Sequence, residues 1–463
     1  MDLKCIFSLA ILVSQISLSS MQNVNVVIQG ATSSGFEKEG SDKCNKRIKV
    51  GGSLQDQVVY GVGGVKNCPN FMKNEDSLFG FSQGCLPLER WDELNKFFNQ
   101  TRNMVTFGLN ALFGRNRSQI EKGLWVGDWK LQNARDFMKY TISKGYKVDS
   151  YEFGNQLSGA GMGASVEAKQ YGKDIVVLKN LVKELHPYPK TQPKVLGSSG
   201  YYDEKWFNSF LEVSGHDVVD GVTHHIYNLG PGIQICLNSV FIEEFLEAYL
   251  LLVGSVTETY KGVLNIVNKF KPQSGAWVSE SGGALHGGAK DLSPTFADGF
   301  WYLDQFGMAS TYNRKVFCRQ TLIGGNYALL STTTSIPNPD YYGALLWHRL
   351  MGSTVLAVTQ ESNPNLRVYA HCAKKKSCNL RSTDVAKPEF RGSKDREEYH
   401  LAALAGNIQG QIVLLNDVPM VPTEIFDISA MEPKLVNAST PISIAAHSIV
   451  YVTIRDFQAP ACA

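Results

Sequence analysis

The stretch Tyr151-Glu152-Phe153-Gly154-Asn155-Gln156-Leu157-Ser158-Gly159 reads as a short strand, Tyr-Glu-Phe, that runs into a Gly-Asn-Gln corner and a glycine-spaced loop. On either side the pattern recurs. Ile48-Lys49-Val50, Val105 to Asn110, Lys194 to Ser199, Gly221 to Tyr227, Ala276 to Ser281 and Cys318 to Gly324 are β-rich runs, each ending in a small or polar residue. Helical periodicity separates them. Tyr171, Ile175, Leu178, Val182 and Leu185 form one apolar stripe at steps of four and three, and Pro187 and Pro189 then stop the helix. Further helices are predicted over 204–213, 241–267, 295–306 and 341–351. Strand, helix and strand in alternation give an α/β fold with right-handed crossovers, here a TIM (β/α)8-type barrel over 47–351.

After Gly352 the helices cease and short runs follow, Val355 to Thr359, Leu366 to His371, Gln411 to Leu415 and Ile442 to Ile454, which predicts a C-terminal β-sandwich domain over 352–463. Residues 21–46 hold a β segment, Asn23 to Gln29, with a shortened polar linker. The barrel strands number seven. The interval from Gly30 to Lys46 is too short for a strand, an ordinary helix and two connections, so the barrel lacks its first strand and helix. Either the closure is unusual, or the sequence is a truncated gene model or splice product.

With 463 residues, 43% hydrophobic and 19% charged, the chain can bury a large core, and a formal charge of +2 gives no footprint for nucleic acid or an anionic membrane as main partner. Residues 1–20, with Lys4 before an apolar run and Ser19-Ser20 after it, read as a signal peptide. That places the chain in the secretory pathway, at the cell exterior or wall or in a vacuole or lysosome-like compartment. No later run is long and uncharged enough to span a membrane, which leaves peripheral association open. Eight cysteines remain beyond Cys5, an even number compatible with disulfides whose pairing the sequence does not give. Asn99, Asn116 and Asn437 lie in Asn-X-Ser/Thr acceptors for glycosylation. There is no CxxC or HExxH, so neither a metal nor a cofactor is expected. Lys374-Lys375-Lys376 reads as a solvated turn.

In a parallel barrel the chemistry gathers at the C-terminal ends of the strands. Those ends offer Ser53, Asn110, Asn155, Gln156, His224, His225, Tyr227, Glu280 and Gln320, many hydrogen-bonding groups and few charges, which suits a sugar. Glu280, ending an apolar strand and followed by Ser281-Gly282-Gly283, is the sharpest carboxylate. His224 and His225 are neighbours on a strand, so at most one faces the pocket.

The segments GGSLQD, GCLPLERWDELN, FGLNAL, YEFGNQLSG, THHIYNLGPG, CRQTLIGGNY, PNPDYYGALLWHRLMG and DFQAPACA, in this order, resemble the plant heparanase-like proteins, relatives of heparanase and other retaining β-glucuronidases. The resemblance implies a TIM barrel with a β-sandwich domain and hydrolysis of β-glucuronide linkages in a carbohydrate carrying glucuronic acid, with no cofactor. It also implies Glu280 as nucleophile and substrate contacts from Asn155, His225, Tyr227, Gln320, Gly325 and Tyr327. Where the family has Asn-Glu, with the glutamate as acid/base, this chain has Asn155-Gln156. An amide has no such proton to give, so the expectation is weak turnover or, alternatively, a catalytically silent carbohydrate-binding descendant. Glu152 lies four residues deeper on the same strand, roughly 13 Å at about 3.3 Å per residue, too far to stand in.

Overall fold

The structure, a computed structural model, describes residues 7–13, 26–29, 47–65, 67–229, 242–360, 363, 365–374, 395–422, 430–454 and 460–462. Its first body is a parallel sheet of seven strands, β3 (Arg47–Val50), β4 (Met104–Leu109), β5 (Ser150–Phe153), β6 (Lys194–Gly200), β7 (Gly221–Tyr227), β8 (Ala276–Gly282) and β9 (Arg314–Arg319), in the order β9-β8-β7-β6-β5-β4-β3. Each strand pairs with its sequence neighbour, as right-handed crossovers require. Among the described residues no strand joins β9 to β3, so the barrel is nearly closed and carries one open seam, as the short interval before Arg47 predicts.

Helices α1 (Leu88–Thr101), α2 (Gln132–Ser143), α3 (Ala168–Leu185), α4 (Glu204–Ser214), α5 (Ile242–Phe270), α6 (Phe296–Thr311) and α7 (Pro339–Leu350) cover the sheet. In α3 the predicted stripe is the buried face, with Tyr171, Ile175, Leu178 and Val182 inaccessible. α1 and α2 escape the sequence reading because each buries only a few side chains. In α1 these are Trp91, Asn95 and Phe98. Trp91 nevertheless anchors a core cluster, with its ring 4.9 Å from Phe107 of β4 and 5.0 Å from Phe137 of α2.

The second body is antiparallel. Its strands are β1 (Phe7–Val13), β2 (Val26–Gln29), β10 (Met351–Gln360), β11 (Leu366–Ala373), β12 (Asp395–Ala403), β13 (Val413–Leu415), β14 (Val418–Pro419), β15 (Lys434–Asn437) and β16 (Ser448–Ile454), in the order β14-β13-β12-β16-β1-β11-β10-β2, with β15 also on β12. β2 pairs with Ala357–Gln360 of β10 and therefore belongs to this domain, not to the barrel sheet. Phe7–Val13, the apolar run read above as part of a leader, stands between β11 and β16, paired residue for residue on both sides. β12 was not predicted, because Asp395-Arg396-Glu397-Glu398 hides its alternation. Its charges are buried in pairs, Arg396 Nε donating to Glu398 Oε1 at 2.6 Å.

The two bodies share one core. Phe300, Trp301, Leu303, Leu346 and Trp347 of α6 and α7 pack with Tyr369, Tyr399, Leu401 and Tyr451 of the β domain. Tyr451 donates to the Gly343 carbonyl at 2.8 Å, and Tyr342 to the Met420 carbonyl at 3.0 Å. Disulfides join Cys68 to Cys85 and Cys372 to Cys462, while Cys318 is a free thiol. Cys44, Cys236 and Cys378 lie outside the described residues. A cavity of about 350 Å³ opens beside the seam, lined by Arg47, Met104, Trp277, Arg314, Phe317 and Trp347. Its strand residues come mainly from the N-terminal halves, the end opposite to where barrel chemistry is expected.

Arg319, the last residue of β9, ties the barrel to both helices of that shared core. Its Nη2 lies 2.5 Å from Asp298 Oδ2 in the first turn of α6 and 2.9 Å from Asp340 Oδ2 in the first turn of α7. Burial holds both carboxyls above the ordinary aspartate range, with Arg319 pulling the other way. Arg319→Met leaves two uncompensated buried carboxylates and should cost about 3–5 kcal/mol near neutral pH. Because the folded-state values are raised, the folded state binds protons more tightly than the unfolded state. Removing the guanidinium raises both values further, so the deficit should shrink as pH falls through the variant's raised range and level off once the parent's own carboxyls are protonated. Urea midpoints at neutral and acidic pH measure this directly.

Candidate active site

The Tyr-Glu-Phe strand is β5, buried throughout, and the chain leaves it through Gly154 and Gln156, both left-handed at φ 71° and 55°. For glutamine that conformation is uncommon and must be held by its surroundings. Four bonds hold the corner: Gly154 N donates to the Leu109 carbonyl at 3.0 Å, Asn155 N to Asp56 Oδ2 at 2.7 Å and Gln156 N to the Ser199 carbonyl at 2.6 Å, while the Gln156 carbonyl accepts from Met162 N at 3.2 Å. The Gln156 side chain then reaches His225, with Nε2 3.1 Å from Nδ1.

β7 supplies the centre of the site. His224 and His225 face opposite ways, as the strand pleat predicts, and the register with β8 shifts between them. His224 lies against Arg314 and Tyr260, a structural position. His225 lies against Gln156, Ser199, Lys49 and Glu280. Burial, with the Lys49 charge next, pushes its pKa well below the usual histidine value, so the ring is neutral. Nδ1 faces the Gln156 amide, and Nε2 faces both Ser199 Oγ at 3.1 Å and the Lys49 ammonium at 3.3 Å. A carboxylate at position 156 would require the proton on Nδ1.

Glu280, near the end of β8, accepts from Tyr227 OH at 2.8 Å on Oε1, which also lies 3.8 Å from His225 Nδ1. Its Oε2 lies 3.9 Å from Lys49 Nζ. Burial raises its pKa, opposed by Lys49 and the Tyr227 hydroxyl, with Glu152 adding to the rise. Lys49 is the residue that sequence reasoning missed. Its ammonium, inside the barrel, stands 2.8 Å from Glu152 Oε2, 3.2 Å from Ser199 Oγ and 3.3 Å from His225 Nε2. Burial alone would lower its pKa, but Glu152 and Glu280 outweigh that and hold it above the ordinary lysine value. A signal existed: Arg47 and Lys49 alternate with apolar residues, so both charges had to point to one face of a barrel strand. Glu152 is thus the buried counter-charge of Lys49.

Of the other predicted residues, Gln320 Nε2 donates to Tyr327 OH at 3.1 Å. The Tyr327 ring lies against Gly325, Gly282 and Gly288, where added Cβ atoms would come within 3.1, 3.4 and 2.8 Å of it. Asn155 is buried, and neither its Oδ1 nor its Nδ2 has a hydrogen-bond partner. The hydroxyl of Tyr201, whose ring is 6.4 Å from that of Tyr227, is also buried and unpartnered. Such orphaned polar atoms beside a carboxylate fit a ligand rich in hydroxyls. Asn110 does not join them, because its amide is spent on the Val58 carbonyl and the Leu112 N–H. Ser53 is exposed, in the first turn after β3. Among the described residues no group of His, Cys, Asp and Glu could hold a metal, and no helix is long and apolar enough to cross a membrane.

Asp56 is a further residue of note. Its Oδ1 accepts from Ala111 N and its Oδ2 from Asn155 N, both at 2.7 Å. Burial pushes its pKa up to about 7 against the pull of those amides.

Comparison with known proteins places the chain in a family. Residues 36–307 match the model of the N-terminal domain of glycosyl hydrolase family 79. Heparanase-like protein 2 of Arabidopsis thaliana is 43% identical over 457 residues, covering 90% of this chain and 83% of the relative. That alignment is longer than the part of this chain it covers, so the relative carries residues with no counterpart here. Baicalin-beta-D-glucuronidase of Scutellaria baicalensis is 37% identical over 432 residues, covering 88% and 80%. Among solved structures, a 4-O-alpha-L-rhamnosyl-beta-D-glucuronidase from Fusarium oxysporum shares the fold, with a TM-score of 0.58, 15% identity and 88% of each chain covered. The family model covers more than half of the chain and the Arabidopsis relative is aligned over most of both sequences, and the chain belongs to glycosyl hydrolase family 79.

Proposed function

We propose that the chain acts on β-linked glucuronides by the retaining route, with Glu280 as nucleophile and Gln156 in the acid/base position. The observation that carries this reading is the shared contact of Gln156 and Glu280 with one ring nitrogen, His225 Nδ1, at 3.1 and 3.8 Å. Their contacting atoms are therefore at most about 7 Å apart, compatible with the roughly 5 Å of the retaining geometry. The names of the relatives, a heparanase-like protein and a baicalin-β-D-glucuronidase, support a glucuronide as substrate. Tyr227, hydrogen-bonded to the nucleophile, together with Asn155, His225, Gln320, Gly325 and Tyr327, would make the sugar contacts.

Attack by Glu280 on the anomeric carbon breaks the glycosidic bond, and the leaving oxygen takes a proton as it departs. Gln156 can hydrogen-bond to that oxygen but cannot protonate it, and positioned proton transfer contributes about a hundred- to ten-thousand-fold. Turnover should therefore be slow except where the leaving group is stable as an anion. Gln156 also favours a second reading, a family member that binds the sugar without cleaving it.

An aryl β-glucuronide with an activated leaving group distinguishes the two. Cleavage that azide accelerates, and that Gln156→Glu extends to poor leaving groups by about a hundredfold or more, supports the enzyme reading. Retained binding with no cleavage by either form supports the binding protein. On the activated substrate the acid limb of kcat/KM should lie above the ordinary glutamate value, because Glu280 must be ionised and burial raises its pKa. Lys49→Met should move that limb to still higher pH.

We further propose that residues 1–20 act as a secretory leader and that Asn99, Asn116 and Asn437, all exposed, carry glycans. N-terminal sequencing of the secreted protein should find a start near Met21. A mature chain retaining Met1 would contradict the leader and keep β1 in its sheet.

A further inference from the structure

Resting on the assignment of position 156 just proposed, we infer that Asp56 is the positioning residue that holds the Asn155-Gln156 corner over the reacting oxygen. Asp56 lies in the helical turn Ser53–Gln57 that follows β3, three strands away from β6 on the other side of the corner. Its carboxylate bridges two strand ends, accepting from Ala111 N beyond β4 and from Asn155 N beyond β5. The turn is itself keyed into the barrel. Gln55 Oε1 accepts from Gly52 N at 3.0 Å, and Gln55 Nε2 donates to the Leu109 carbonyl at 3.3 Å. A Cβ at Gly108 would lie 2.0 Å from Gln55 Oε1, so the glutamine passes through space that only glycine leaves open. The β4 loop is gripped from its other side by Arg115, whose Nε donates to the Ala111 carbonyl at 2.8 Å. Arg115 Nη2 in turn lies 2.5 Å from Asp174 Oδ2 on α3.

The consequence falls on Gln156. Its left-handed backbone is fixed by the bond before it, Asn155 N to Asp56, by its own N–H to the Ser199 carbonyl and by its carbonyl, which accepts from Met162 N. Only a carboxylate serves both amides, since an asparagine at 56 would turn an NH2 toward one of two N–H donors. Losing the Asn155 bond leaves the strained corner held only through the backbone groups of Gly154 and Gln156, so the peptide between them can relax toward the broad right-handed and extended regions and draw the side chain away from His225. Asp56 itself need touch neither sugar nor water.

The test compares Asp56→Asn with its parent in the Gln156→Glu background, using glucuronides with good and poor leaving groups. Displacing an acid should cost about tenfold or more in kcat on the poor leaving group and little on the good one, with KM nearly unchanged, because only the poor one needs the proton. Equal loss on both, or loss on neither, overturns the inference. Hydrogen exchange over residues 151–159 provides a readout independent of turnover. Faster exchange there, with the rest of the barrel unchanged, is expected for Asp56→Asn, and unchanged protection overturns the inference even if no variant is active. If Gln156→Glu cleaves neither substrate while exchange responds as expected, the glucuronidase reading fails and the clamp stands. Should Asp56→Asn not fold, Asp56→Ser, which keeps an acceptor for one amide, takes its place under the same criteria.

Discussion

One ammonium inside the barrel balances two carboxylates. Lys49 Nζ stands 2.8 Å from Glu152 and 3.9 Å from Glu280, all three side chains almost inaccessible, and isolated burial of any one charge would cost several kcal/mol. The arrangement explains how Glu280 can be an anion despite surroundings that favour its neutral form: Lys49 and the Tyr227 hydroxyl offset part of the desolvation. It also explains why Glu152 is not a free acid. Its charge is committed to Lys49, below the level where a sugar would sit.

The rest of the fold presents this cluster. Seven parallel strands converge their C-terminal ends on it, and Arg319 fixes the last of them to the starts of α6 and α7. The open seam between β9 and β3 falls on the side opposite β6, while the corner of β5 is braced by neighbours on both its flanks. The missing strand therefore leaves the Gln156–His225–Glu280 face intact.

Much of this was legible in the sequence, and the exceptions have physical reasons. Periodicity gave α3 and the seven barrel runs because their buried faces are uninterrupted. α1 and α2 were illegible because each buries only a few side chains, and β12 because its buried charges pair with one another along the strand, Arg396 with Glu398, rather than standing on a polar face. Glu280, His225 and Tyr227 stood out as polar residues ending apolar strands. Lys49 and Asp56 did not, since a lysine or aspartate beside a loop looks like solvated surface until the barrel closes around it. Asn110 erred in the opposite direction: a strand-end amide can be consumed entirely by the backbone.

Position 156 concentrates the chemical question, because the same left-handed corner can present an amide or a carboxyl, and a carboxylate there requires His225 Nδ1 to carry the ring proton. The role proposed for Glu280 does not depend on that choice. A 2-fluoro-glucuronide bearing a strongly activated leaving group needs no acid to form its covalent intermediate and releases it slowly, so mass spectrometry of the digested protein can locate the sugar. A label on the peptide containing Glu280, absent from Glu280→Gln, is the predicted result. A protein that binds the compound yet carries no label, or carries it on another residue, would contradict the assignment.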